Sequence, residues 1–289
     1  GAMFGDVGQG LILFLGGLFL YKTKHMDLAG IISCAGVFSV FFGFMYGSFF
    51  GFEDVLKAIW LKPMNQMMDV PLVGRLNAVF VIAIGFGMFI ILICMIFNII
   101  NSLRNKDVEK AWFDSNAVAG LVFYGSIVLT VGLFISGRKL PATAVLVVMF
   151  GVPLLLMFLK EPLTNLVEKK SEIFPEQKGM FFVQSFFELF EVLLSYLSNT
   201  LSFLRIGAFA VSHAAMMEVV LMLAGATNGG SPNWIVVVLG NIFVCAMEGL
   251  IVGIQVLRLE YYEIFSRFYA GNGREFQPFM KTLRKSVQK

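Results

Sequence analysis

Apolar residues run along this chain in long blocks rather than in alternation, and several blocks are long enough to cross about 30 Å of hydrocarbon as helices. Seven stand out: Gly8 to Tyr21, Leu28 to Phe50, Leu76 to Ile100, Ala117 to Ile135, Leu140 to Leu159, Met180 to Leu223 and Trp234 to Phe268. They predict an all-α fold, a polytopic transmembrane bundle of seven to eight helices with the last two long and steeply tilted. The first block is short. The stretch Gly51 to Pro71, with Trp60 and Pro63 among scattered charges, is too polar for a plain span. A re-entrant piece there, or one more span upstream, would complete the count. Gly43, Gly47 and Gly51, four residues apart, read as a surface for close helix packing.

The last two blocks differ from the others. Met180 to Leu223 is interrupted by no proline, and about 44 residues would make roughly 66 Å of helix, twice the membrane thickness, so it must tilt, bend or break. Its polar residues Gln184, Glu188, Glu191, Ser195, Ser198, Ser202, Arg205, Ser212 and His213 recur at spacings near three and four, with Asn199 beside them, which puts a polar stripe on one face. On the final block Asn241, Glu248, Gln255, Arg258 and Tyr262 repeat at seven, seven, three and four residues, again on one face. Arg205 and Arg258 stand among leucines and isoleucines. An arginine at membrane depth costs about 2.5–3.5 kcal/mol on insertion scales, so each needs a counter-charge or water. Arginine stays charged and cannot itself relay a proton. The plain structural reading pairs Arg205 with Glu191 or Glu248 to hold the bundle together; the functional reading makes the two stripes line one aqueous path, with His213 on it.

Composition agrees with the pattern: 58% of the 289 residues are hydrophobic and 14% charged, against about 25% charged in soluble domains. The net charge of +3 suggests no nucleic-acid surface. The basic residues instead set topology. Arg267, Arg274, Lys281, Arg284, Lys285 and Lys289 follow the last block, whereas Ala226 to Asn233 carries no charge, which predicts a cytoplasmic tail and an external loop. Lys160, Lys169, Lys170 and Lys178 mark a second cytoplasmic face. His25 beside Lys22 and Lys24 reads as a solvated loop residue. Cys34, Cys94 and Cys245 lie in apolar runs and imply no disulfide framework or metal site. Gly5, Gly8 and Gly10 look like a phosphate loop only superficially, because neither a preceding strand nor a following lysine is in place. No cofactor is expected.

The segments LSNTLSFLRIGAFAVSHA (Leu197 to Ala214) and EGLIVGIQVLRLEYYEIFSRFYAGNGREFQPF (Glu248 to Phe279) resemble the last two membrane helices of the a subunit, also called subunit I, of V-type and A-type rotary ATPases. The opening MFGDVGQG and the run FFGFMYGSFFG at Phe41 to Gly51 are similar to that family's first membrane helices. The resemblance implies a non-catalytic stator subunit: Arg205 and Arg258 face the carboxylates of a rotating proteolipid c or K ring, Glu191 and Ser195 lie at the cytoplasmic end of an ion path, and His213, Glu248 and Gln255 lie toward the exterior. Ser202 and Asn199 complete the expected path. In eukaryotic members the positions of Ser195 and Gln255 tend to hold Asn and His, so Gln255 has lost titratable character here. The resemblance further implies central- and peripheral-stalk partners reached through a cytoplasmic N-terminal domain absent from this chain, and H⁺ or Na⁺ as the coupling ion. The Gly-Gln-Gly ending of MFGDVGQG points to a prokaryotic plasma membrane. One transmembrane domain is expected, with residues 1–175 as a supporting bundle, 176–270 as the two tilted helices and 271–289 as the basic tail. The reading from another class is a secondary transporter or channel with a polar site between the last two helices. Such proteins often show internal repeats, and none is visible here.

Overall fold

The computed structural model describes residues 1–52, 55–60, 62–63, 67–70, 74–105, 107, 109–139, 141–167, 178–225, 232–269 and 271. Lys169, Lys170, the loop residues 226–231 and the basic residues Arg274 to Lys289 lie outside them, so the topology expectations built on those positions, and the tail, are not described. The helices are α1 (Val7–Lys24), α2 (Asp27–Tyr46), α3 (Ala78–Asn105), α4 (Val118–Ile135), α5 (Thr143–Phe158), α6 (Lys160–Val167), α7 (Lys178–Ser202), α8 (Leu204–Leu223), α9 (Trp234–Arg258) and α10 (Ser266–Phe268). Wider π-helical turns occupy Glu109–Phe113 and Leu259–Phe265.

Among the described residues five helices are long and apolar enough to cross a membrane, and the bent pair α5–α6 makes a sixth. The bend of 72° between α5 and α6 has a local cause: Pro162 has no N–H to donate to the Phe158 carbonyl and disfavours helical geometry in the residue before it. Two features leave the count among the described residues at five to six. The last turn of α1 carries Lys22 and Lys24, and that helix does not reach the same standard. The stretch after Gly51 contains an antiparallel hairpin, β1 (Met67–Val70) with β2 (Gly74–Asn77), where Met68 pairs Leu76. Its described part is thus turns and one strand of a two-stranded sheet, not a helix.

α1 and α2 form a hairpin whose backbones touch. A Cβ at Gly36 would lie 2.5 Å from the Phe14 nitrogen and one at Gly17 would lie 2.7 Å from the Ser33 nitrogen, while one at Gly43 would overlap the Val7 nitrogen. Only Gly43 of the predicted glycine trio serves helix packing. Gly47 caps α2 with a left-handed φ of 74°, and Gly51 lies beyond the helix with φ 83°. His25 caps α1 in the same left-handed region and is exposed.

α3 is the central helix. It packs against α4, α7, α8 and the π-helical turns after α9. Ile91 and Met95 are fully buried there beside Tyr124, Tyr196, Phe203 and Leu259. By contrast Val147, Phe243 and Leu250 are more than 60% exposed, a surface suited to lipid rather than water. The penultimate apolar block is divided at Phe203, where tighter turns replace the α pattern: Phe203 N donates to Thr200 O at 3.3 Å and Ile206 N to Phe203 O at 3.0 Å. α7 and α8 still run on as one 45-residue rod, Gly179–Leu223. Phe203 fits because α3 offers Gly87 opposite; a Cβ at that position would overlap its ring.

Candidate ion-translocation site

Three polar groupings follow one another along α7 and α8. The first is a polar cavity of about 490 Å³ lined by Glu188, Glu191, Ser195 and Asn199 of α7, with Lys160 and Arg267. Lys160 Nζ pairs with Glu188 Oε2 at 2.9 Å, Gln184 donates to Glu188 at 3.3 Å, and Asn199 donates to Ser195 Oγ at 3.2 Å. The sequence-predicted residues Glu191, Ser195 and Asn199 thus share one wall.

The second grouping surrounds Arg205. Its Nη2 donates to Ser202 Oγ at 3.1 Å and its Nη1 to the Gln255 carbonyl at 3.4 Å. Ser202 in turn donates to Glu263 Oε1. Arg205 bonds neither Glu191 nor Glu248, the two acids that sequence reasoning offered it. Glu263 is the acid that reaches it, through one hydroxyl. Arg258 is exposed and, among the described residues, makes no hydrogen bond or ion pair. Gln255 meets Arg205 through its backbone.

The third grouping is buried between α8 and α9. His213 Nδ1 lies 2.5 Å from Glu248 Oε2, and the two residues are 3% and 2% exposed. His213 Nε2 and Glu248 Oε1 have no hydrogen-bond partner among the described residues. His213 lines a cavity of about 20 Å³ with Ser48, Tyr46 and Met217, room for about one water molecule. The Phe4 ring packs against the imidazole at 4.9 Å between centroids. Further along α9, Gln9 donates to Asn241 Oδ1 at 2.8 Å and leaves its own carbonyl oxygen unpartnered. Arg205 lines neither the larger nor the smaller of these two cavities.

Four residues of this region were not assigned to the ion path by the sequence. Asp6 is fully buried and caps α1. Its carboxylate accepts from Gln9 N, Phe50 N and Gly51 N at 3.0 Å each and from Ser48 Oγ at 2.6 Å. Its place before the first apolar block was the available signal. Gln9, 232 residues before Asn241 and on a different helix, had none. Glu263 was missed because of the π-helical turns. A heptad continued from Asn241, Glu248 and Gln255 reaches Tyr262, but one extra residue in a π-helical turn moves the inward position on by one. Tyr262 is 71% exposed and Glu263 is 5% exposed. Arg267, expected in the tail, is instead buried: it donates to Asn116 Oδ1 at 2.9 Å and to the Glu263 carbonyl at 3.2 Å, and lies over the Tyr196 ring. Glu218 is exposed on α8 and joins none of the groupings.

Comparison with known proteins gives a consistent picture. Residues 159–281 match the V-type ATPase 116kDa subunit family. A-type ATP synthase subunit I of Aeropyrum pernix is 28% identical over 96% of this chain and 44% of its own length. Subunit I of Saccharolobus solfataricus is 42% identical over 32% of this chain and 14% of its own. The human V-type proton ATPase 116 kDa subunit a 3 is 31% identical over 39% of this chain and 15% of its own. The chain spans less than half the length of these curated relatives. With its apolar helices and the arginine-bearing motifs at Leu197 to Ala214 and Glu248 to Phe279, the chain is similar along nearly its whole length to the a subunits, or subunits I, of V-type and A-type rotary ATPases.

Proposed function

We propose that this chain is the ion-conducting part of a rotary-ATPase stator, with two offset half-paths that meet a rotating proteolipid ring at Arg205 and Arg258. The observation that carries the reading is the order along α7 and α8: a roomy polar cavity, then Arg205, then a buried His213–Glu248 pair, with Arg205 outside both cavities. At 1.5 Å per residue, Glu191 lies about 21 Å on one side of Arg205 and His213 about 12 Å on the other. The lysines around α6 and the basic C-terminal sequence support a cytoplasmic position for the Glu191 end, and the uncharged loop before α9 an external position for the His213 end.

In this scheme an ion enters one half-path, neutralises a ring carboxylate, is carried around through lipid and leaves by the other. As each carboxylate reaches Arg205 and Arg258, their fixed positive charge favours its ionised form and expels the ion. The same charge opposes a direct leak of cations between the half-paths. Ring rotation is thereby coupled to ion flow, while ATP is made or hydrolysed on other subunits. Helices α1–α6 support α7–α10, which form the path, and the membrane is a prokaryotic plasma membrane. Stalk subunits attach through sequence that this chain lacks relative to its longer relatives.

The test is Arg205→Gln and Arg205→Lys in the assembled complex. ATP-driven ion transport is expected to fall at least tenfold with either variant. Coupled transport near the unmodified rate would refute the scheme. The purified chain in vesicles distinguishes this function from a secondary transporter: alone, without a ring, it is expected to move neither H⁺ nor Na⁺.

A further inference from the structure

Three arginines approach one buried carboxylate. Glu263 lies in the π-helical turns between Arg258 and Arg267, with Arg205 reaching it from α8 through Ser202. Its Oε1 accepts from Ser202, and its Oε2 is buried without a partner. Arg267 feels the Glu263 charge, but among the described residues its hydrogen bonds go elsewhere. It holds the Glu263 backbone oxygen and Asn116 and lies over the Tyr196 ring. The charges that bear on Arg205 are Glu263 and Arg258. Among the described residues Glu263 is thus the one anion that bears on the half-buried Arg205 guanidinium, and it is held off by a single hydroxyl.

From this geometry we propose that Glu263 is the resident counter-charge of Arg205, a positioning residue that acts through Ser202 and sets how tightly the arginine holds an arriving carboxylate. The inference rests on the rotary reading above and deepens it. With no ring carboxylate at the station, Glu263 offsets the cost of keeping Arg205 charged at membrane depth. When a ring carboxylate arrives, it competes with a partner already in place, so the contact is weaker than a lone arginine would make and the carboxylate can reload its ion and move on. The intervening Ser202 hydroxyl keeps the two charges linked but apart. Glu263 transfers no ion in this role, and no bond to it forms or breaks during the cycle.

Glu263→Gln keeps the volume and the oxygen that accepts from Ser202 but removes the charge. In the assembled complex Arg205 then favours the ionised ring carboxylate more strongly, and reloading demands more ion. Half-maximal ATP-driven transport is expected to need about tenfold more of the coupling ion, about one pH unit to the acid side for protons. This is the order expected for one unit charge removed at roughly 10 Å in a medium of effective dielectric ~20. Glu263→Asp, which keeps the charge, is expected to restore most of the profile. An unchanged Glu263→Gln profile overturns the proposal, as does a shift equally large in Glu263→Asp, which would mark a packing role. Loss of transport at every ion concentration in an assembled Glu263→Gln complex also overturns it, since that result belongs to an ion carrier. If Glu263→Gln does not assemble, Ser202→Ala decides, because it removes the bridge and leaves the charge: a shift in the same direction supports the proposal and no shift overturns it. Arg205→Gln run in parallel separates the two levels. Uncoupling by Arg205→Gln with an unchanged Glu263→Gln profile sinks the counter-charge alone, whereas coupled pumping by Arg205→Gln sinks the rotary reading with it.

Discussion

Asp6 is the residue on which the first hairpin closes. A buried carboxylate is tolerated only when its oxygens are satisfied, and here four donors converge on it: the capped turn of α1, the Ser48 hydroxyl and the Phe50 and Gly51 amides. The same residue thus starts α1 and ties down the turn that follows α2. Asp6→Ala strands buried donors and removes a helix cap, and is expected to destabilise the protein by about 2–4 kcal/mol. Asp6→Asn keeps one acceptor oxygen and is expected to lose about half as much. Unfolding midpoints in detergent, measured on both variants, check the order; an Asp6→Ala midpoint equal to that of the unmodified chain would contradict the bonding seen around the carboxylate. The contrast with Glu263 is instructive, since that carboxylate is buried nearly as deeply but leaves one oxygen without a donor. Asp6 is built for stability, and Glu263 keeps an unsatisfied atom beside the arginines.

Between elements, the decisive contact is the junction of α7 and α8 against α3. Phe203 precedes Arg205 by two residues and sits against Gly87, so the position of the arginine depends on a glycine in a different helix. Gly87→Ala would push the Phe203 ring out of its seat and move the junction, and ATP-driven transport in the complex is expected to fall by about tenfold through misplacement of Arg205. Gly85, two positions away on the same helix, faces open space among the described residues, and Gly85→Ala is expected to leave transport unchanged while favouring the helix by up to about 1 kcal/mol. Equal transport by the two variants would show that the junction does not set the arginine. Element by element, the helices were legible in the sequence because long apolar blocks have few alternatives in a membrane. The polar stripe of α7 was legible for the same reason, as its period survives in the wall that Glu191, Ser195 and Asn199 share. Periodicity failed where the period itself changes. The π-helical turns after Arg258 moved the inward position from Tyr262 to Glu263, and no composition rule marks such turns in advance. It also could not show that Gly47 and Gly51 fall beyond the end of α2, or that Arg267 folds back under Tyr196 rather than joining a free tail.

Across the whole molecule, length sets the last constraint. The rod Gly179–Leu223 has 45 residues, about 68 Å at 1.5 Å per residue, against roughly 30 Å of hydrocarbon. Its surface stays apolar at both extremes: Phe186 and Phe187 near one end and Val219 and Leu223 near the other are more than half exposed. A rod standing along the membrane normal would push such side chains into water at one end or both. Tilting would keep them in lipid and lay the polar cavity, Arg205 and the His213–Glu248 pair obliquely across the membrane, which would offset the two proposed half-paths sideways as well as in depth. Spin labels on cysteines at Phe187, Leu197 and Val219, read by their accessibility to lipid-soluble and water-soluble quenchers, measure this directly. Phe187 and Val219 are 32 residues apart, about 48 Å along the rod, and a steep tilt is expected to bring their depth difference below about 30 Å. A difference near 48 Å would mean an upright rod and half-paths stacked on one axis, and the arginine would then have to divide a single straight channel rather than separate two displaced ones.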